Sequence, residues 1–280
     1  MKKKFNRYAL AIFAVSVFLL NACHEQNSIF YDDTPPSPPS GLFVLAGDNR
    51  VDVTWDHNYE SDLAGYNIYY NTTYDGRYTL IGTTEDNYFI DYDAVNGELY
   101  YYAVAAFDFN GNESELSYDE VFGIARPEGF NEIIFDVFEF ENSSGYGFEE
   151  YAVLHYQDEG TDIFFENDNG TFIVNVWPDT EIKDMGPTND IYDITEAPAT
   201  GWVPLLPGDN FKYVFVQIGH TYVVSTNRNH YAKFRVTGIT GQRMTFDWAF
   251  QLIPGERLLK KGGRGQKVKV ERTAVINHKK

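Results

Sequence analysis

Apolar and polar residues alternate with a period of two over most of residues 41–252, the mark of half-buried β-strands, and no stretch carries the period of a long helix. In "GLFVLAGDNRVDVTWD" two such runs flank a Gly47, Asp48, Asn49 turn, and the second places Val51, Val53 and Trp55 on one face. "LAGYNIYYN" and "YTLIGTT" follow, separated by the turn pair Asp75 and Gly76. In "NGELYYYAVAAFDFNGNES" the side chains of Tyr100, Tyr102, Val104 and Ala106 share a face. Short strands with turn signals at roughly ten-residue intervals predict a sandwich.

After "IARPEGF" the alternation resumes in a second series: "EIIFDVFEF", "EYAVLHY", "DIFFEND", "TFIVNVW", "KYVFVQI", "TYVVST", "HYAKFRVTGI" and "MTFDWAFQLI". In the last, Met244, Phe246, Trp248, Phe250 and Leu252 point one way and Thr245, Asp247, Ala249 and Gln251 the other. Between Trp177 and Pro207 the pattern breaks into a stretch rich in Pro, Asp and Thr, expected to be irregular; connections of that length tend to carry function or to move. An aromatic content of 17 % agrees with an all-β chain.

Several residues of the first series carry a family resemblance. The proline-rich entry, Trp55 in the second strand, the "DLAGYNIYY" strand, the corner tyrosine Tyr100 and the "FDFNGNES" exit loop resemble a fibronectin type III domain over residues 36–127. The resemblance implies an immunoglobulin-like sandwich acting as spacer or adhesion module. The expected fold class is therefore all-β: this sandwich followed by a second antiparallel β domain at residues 130–255.

The chain starts with four basic residues (Lys2, Lys3, Lys4, Arg7) and an apolar run over residues 9–20, too short for the roughly 20 residues that span a bilayer. The run ends at Cys23, the sole cysteine. This resembles a bacterial lipoprotein signal, residues 1–22, and implies lipid on Cys23 as the link to the membrane. Residues 23–35 are polar and then proline-rich, a composition that favours an extended tether. No aspartate follows Cys23, so by the same resemblance the outer membrane of a Gram-negative bacterium is the expected location. A lone cysteine also leaves the fold to stand without an internal disulfide.

The net charge of −19 conceals two opposite regions. Residues 23–255 hold 39 acidic and nine basic side chains, whereas residues 256–280 hold nine basic and two acidic ones. The acidic body excludes nucleic acid as a partner. The basic tail, with its "KKGGRGQ" segment, is expected to be a flexible electrostatic appendage; an edge strand formed around "KVKVER" is the competing outcome.

Little of the sequence reads as chemistry. Asp108, Asn110, Asn112 and Ser114 place oxygen donors at every second position, a spacing that can wrap calcium, yet Asn-Gly is equally a plain turn signal. His220 and His230 lie on either side of a hairpin; with the turn at residues 226–229, Ser225 faces His230 and the two rings stand roughly 16 Å apart, too far for one metal. His155 is the other candidate partner for either. In that register His230 lies with Ala232, Phe234 and Val236, and Tyr231, Lys233 and Arg235 form a basic strip on the other face.

The order "DIFFEN", "DITEAPATGW", "YVVST" and "HYAKFRV" resembles the HmuY-like haem-binding lipoprotein family over residues 161–252. That resemblance implies haem or metal acquisition, with iron held by two histidines that cannot be assigned to positions here. Trp177, Tyr192 and Trp202 in the long stretch are candidates for stacking on a glycan, or else core plugs. No Gly-x-Ser-x-Gly, His-Glu-x-x-His or phosphate-binding glycine loop occurs, and in so acidic a chain a pair of carboxylates carries no weight. The function expected is a non-enzymatic surface lipoprotein whose β-rich C-terminal domain binds a protein or glycan partner.

Overall fold

The computed structural model describes residues 32–259 and the strand Arg272–Val275; the leader, Cys23 and the remaining tail lie outside the described residues. An N-terminal unit, residues 1–34, separates from residues 35–280. Of the first, residues 32–34 are described, and there the Thr34 N–H donates to Asp32 Oδ1 at 3.0 Å.

The fold is all-β, as the alternation predicts, with no α-helix among the described residues. Seven strands build the first sandwich: β1 Phe43–Gly47, β2 Arg50–Thr54, β3 Leu63–Asn71, β4 Gly76–Thr84, β5 Tyr88–Asp91, β6 Leu99–Asp108 and β7 Val121–Ile124. β1, β2 and β5 form one sheet and β4, β3, β6 and β7 belong to the other. Val51, Val53 and Trp55 point into the space between them, and Trp55 meets Tyr66 edge to face at 5.1 Å. Tyr100, Tyr102, Val104 and Ala106 enter the same core from β6. The opposite face of β6 is buried too, because residues 114–117 fold back over it: Ser117 N–H reaches Val104 O at 2.8 Å.

Ten strands build the second domain: β8 Glu128–Phe135, β9 Gly145–Gly147, β10 Ala152–Leu154, β11 Ile163–Asp168, β12 Thr171–Val176, β13 Glu181–Pro187, β14 Lys212–Phe215, β15 His220–Ser225, β16 Tyr231–Thr240 and β17 Arg243–Gln251. One sheet runs β10-β9-β11-β12-β14 and the other β13-β15-β16-β17-β8. Their facing sides share an aromatic-rich core containing Tyr146, Phe148, Phe165, Tyr222, Phe234, Phe246 and Trp248. The β11–β12 hairpin turns on Asn169 and Gly170, both at positive φ (51° and 93°), the geometry that suits the strand twist.

Four expectations need correction. Residues 181–187 are not irregular: they form β13, which pairs with β15 at the sheet edge. Ala249 and Gln251 do not face solvent, because residues 194–202 and 256–259 cover the outer side of that sheet with Ala197, Trp202 and Leu259. The same cover buries Lys233 and breaks the anticipated basic strip; its Nζ donates to Ile194 O at 2.7 Å and Leu259 O at 3.0 Å. The second domain therefore continues beyond Gly255, at least to the buried Leu259.

The fourth correction concerns the tail. Residues Arg272–Val275 form a strand, β18, that pairs in parallel with β4 of the first sandwich, Arg272 opposite Gly76 and Val275 opposite Thr79. The sequence cue was misjudged because β4 is an edge whose outer ladder would otherwise be open, and such an edge accepts even a short strand.

The junction between the sandwiches is tight. Arg126 N–H donates to Gly47 O at 3.0 Å, Gly97 N–H to Ala125 O at 2.8 Å, and Phe250 N–H to Pro127 O at 2.9 Å. The Arg126 guanidinium is buried, and burial lowers its pKa to about 10, offset in part by Glu128 and Tyr192. A residue larger than glycine is barred at Gly129, where a Cβ would lie 2.3 Å from the Trp248 indole nitrogen.

Candidate functional site

One of the three aromatic candidates lines a cleft. β12 ends at Val176, Pro178 cannot continue its ladder, and Thr180 N–H closes a turn on Trp177 O at 3.0 Å before β13 begins. This turn, the loop between β10 and β11, and the tip of the β15–β16 hairpin surround a space of about 470 Å³. Gln157, Asp158, Glu159, Trp177, Asp179 and Asn227 line it, and among the described residues no lysine or arginine does.

The walls are held from behind. The Trp177 ring packs edge to face on Phe211, with centroids 4.9 Å apart, and leans on Phe164 at 6.1 Å. Lys212 is buried and ties Thr180 O at 3.1 Å to the Glu181 carboxylate at 2.8 Å. The 155–161 loop is a series of turns: Asp158 N–H donates to His155 O, Thr161 N–H to Asp158 O, and Gln157 N–H to His155 Nδ1 at 3.0 Å. The cleft is therefore formed by side chains on three braced turns.

Beside it lies a smaller acidic notch of Glu149, Glu150, Asp162 and Arg228, sharing Glu159 and Asn227 with the cleft. Arg228 pairs with Glu149 and, at 3.6 Å, with Glu150. Asp162 is buried and accepts the Phe148 N–H at 2.9 Å. Burial pushes its carboxyl pKa up to about 7, against the pull of the Phe148 hydrogen bond, and Glu150 adds to the rise.

The other candidates fall elsewhere. Tyr192 sits at the junction of the two sandwiches, its hydroxyl 3.2 Å from both carboxylate oxygens of Glu128, and Trp202 stacks on Tyr231 in the cover of the outer sheet face. Both are packing residues. Asp108 is buried and directs its oxygens inward: Oδ1 accepts from the N–H groups of Asn110 at 2.9 Å and Asn112 at 2.8 Å, and Oδ2 from the Asn112 side chain at 2.7 Å. That makes an Asx-type turn from the "DFNGNES" loop.

The histidines do not converge among the described residues. The hairpin register is one residue off the expected one: Ser225 pairs with Tyr231, and Thr226 N–H bonds His230 O at 2.8 Å, so that residues 227–229 form the loop, with Asn229 at φ 63°. His220 and His230 are then six ladder steps apart, roughly 20 Å. His220 pairs with Asp184 at 3.0 Å, His230 Nδ1 meets Gln251 O at 3.0 Å, and His155 lies 3.8 Å from Glu141 and stacks on Tyr156. No histidine belongs to a group of three metal-ligating side chains among the described residues. The paired axial ligands that haem acquisition implies are not assembled from these three.

The sequence marked Trp177 but not Gln157, Asp158, Glu159, Asp179 or Asn227. They come from segments up to about seventy positions apart, joined only by sheet pairing, and their one local sign is the strand-stopping Trp177, Pro178, Asp179 run.

Comparison with known proteins gives partial matches. No protein-family profile matches the chain. Amylopullulanases of Thermoanaerobacterium saccharolyticum and Thermoanaerobacterium thermosulfurigenes are 41 % identical over 105 residues and 40 % identical over 101 residues. Each match takes in 35 % of this chain but only 8 % and 5 % of the relative, so the chain spans less than a tenth of those proteins. Among solved structures, an Fn3-like protein from Clostridium thermocellum is 30 % identical over 30 % of this chain and 88 % of that one, with a TM-score of 0.28. A DUF4466 family protein from Parabacteroides merdae covers 77 % of this chain and 99 % of its own at 8 % identity and a TM-score of 0.37. The chain itself is a β-sandwich joined to a second all-β domain.

Proposed function

We propose that the protein is a non-enzymatic cell-envelope lipoprotein, tethered through lipid on Cys23 in the outer membrane, whose second domain binds a glycan at the Trp177 cleft. The observation that carries this reading is the cleft itself: a half-buried tryptophan, braced from behind, beside hydrogen-bonding side chains on three turns. A flat aromatic face stacks on the apolar face of a sugar ring while flanking carboxylates and amides take its hydroxyls. In this reading the first sandwich is a stiff spacer, since the junction at residues 125–127 is bonded on both sides. The relatives are, by name, enzymes that act on pullulan, and a domain-length piece of each is similar to this chain. That piece is compatible with a spacer or binding module and carries no catalysis into this reading.

Two measurements test it. Cys23→Ser in the full chain moves the protein from the membrane pellet to the soluble fraction; a mutant that still pellets in high salt refutes the anchor. On an oligosaccharide array the full chain retains glycans and Trp177→Ala releases them, while Trp202→Ala does not. An array profile identical for wild type and Trp177→Ala refutes the cleft.

A further inference from the structure

The charge of the cleft narrows the ligand class. Resting on the reading of the Trp177 cleft as a glycan site, we propose that it selects an amino-bearing saccharide, one that presents a positively charged ammonium beside its hydroxyls.

Three carboxylates line the space, from Asp158, Glu159 and Asp179, and among the described residues no basic side chain joins them. Glu159 and Asp179 are exposed, and their carboxylates make no ion pair or hydrogen bond among the described residues. Asp158 accepts a single bond, from His155 N–H at 3.3 Å. The cations beside it are already engaged: Arg228 in the adjoining notch by Glu149 and Glu150, and the buried Lys212 behind Thr180 by Glu181. Unspent acceptor capacity and uncompensated negative charge therefore coincide at one aromatic wall.

A ligand that answers this arrangement donates hydrogen bonds and carries positive charge. An acidic saccharide meets repulsion from all three carboxylates. A neutral one fills the hydrogen-bonding capacity but leaves the charge unanswered. An ammonium gains charge-assisted bonds, which are roughly twice as strong as neutral ones, and attraction to the indole face when it lies within about 6 Å. Phe211 and Phe164 hold the indole ring in place.

The test compares glucosamine oligomers with their N-acetylated counterparts and with uronic-acid oligomers of equal length. Binding to the full chain is measured by calorimetry at mildly acidic pH, where the free amine is protonated. We expect the glucosamine oligomer to bind at least tenfold more tightly than the acetylated one at low salt, and the advantage to shrink as salt rises. Glu159→Gln with Asp179→Asn removes the advantage of the glucosamine oligomer over the acetylated one, while Trp177→Ala weakens both. Equal affinity for the two oligomers overturns the charge selection and leaves the glycan cleft standing. An ammonium advantage that persists in Glu159→Gln with Asp179→Asn reflects attraction to the acidic body at large and overturns the proposal. Binding of none of the oligomers overturns it together with the glycan reading.

Discussion

The ammonium of Lys233, in the middle of β16, donates to the main-chain carbonyl of Leu259 at 3.0 Å, from a side chain with no exposed surface. A second bond to Ile194 O at 2.7 Å ties the two covering segments to one sheet position, and the ammonium lies 5.8 Å from the Tyr192 ring. A lysine on an outward-facing strand position thus pins the segments that cover it.

Replacing Lys233 should be costly for that reason. Lys233→Ala leaves two carbonyls without their donor and opens a hole under Leu259. Buried unsatisfied groups cost about 1–3 kcal/mol each, so a loss on the order of 3 kcal/mol is expected in thermal or urea unfolding. Lys233→Met keeps the volume and should lose less. An unchanged melting temperature for Lys233→Ala would contradict a structural role for the cover.

The contrast between what the sequence disclosed and what it hid follows from the same geometry. Period-two alternation reports a strand with one dry face, which is why Trp55, the Tyr100 to Ala106 face and the Met244 to Phe250 face were all legible. It cannot report a second cover over the other face, so Lys233 reads as part of a basic strip and the burial of Ala249 and Gln251 leaves no sign. β13 was hidden because its residues Glu181, Lys183 and Asp184 are those of a polar edge, and its pairing depends on β15. The hairpin register differs by one because Thr226 and His230 pair across a three-residue loop, with Asn229 at positive φ, that composition does not reveal. At the site, Trp177 was legible as an aromatic in a loop; its acidic companions are ordinary surface residues until three turns bring them together.

The tail supplies a second prediction. With β18 paired along β4, removing residues 260–280 deletes a ladder and leaves a bare sheet edge. The melting temperature should fall by an amount that does not depend on salt, and Thr273→Pro should reproduce part of the loss, since proline removes a donor from the ladder. Roughly 1 kcal/mol is the expected scale for so short a strand. If instead the loss vanishes at high salt, the tail acts through its charge, because surface charge contacts are screened over about 8 Å at physiological ionic strength.

The acidic notch makes stability depend on pH in a particular direction. Asp162 holds its proton up to about 7 in the fold, because burial disfavours its charge. An aspartate in the unfolded chain loses its proton near 4. Between these values the native state binds more protons than the unfolded state, so this group's contribution is fully present below about pH 4 and is lost as pH rises through 7. The difference is on the order of a few kcal/mol for a carboxyl buried this deeply. Asp162→Asn keeps an acceptor for the Phe148 N–H and cannot ionise. Urea unfolding of both proteins across this range should show wild-type stability falling with pH more steeply than that of Asp162→Asn, the two curves diverging toward alkaline pH. Parallel curves would mean that Asp162 ionises freely in the fold and that the notch is open to water.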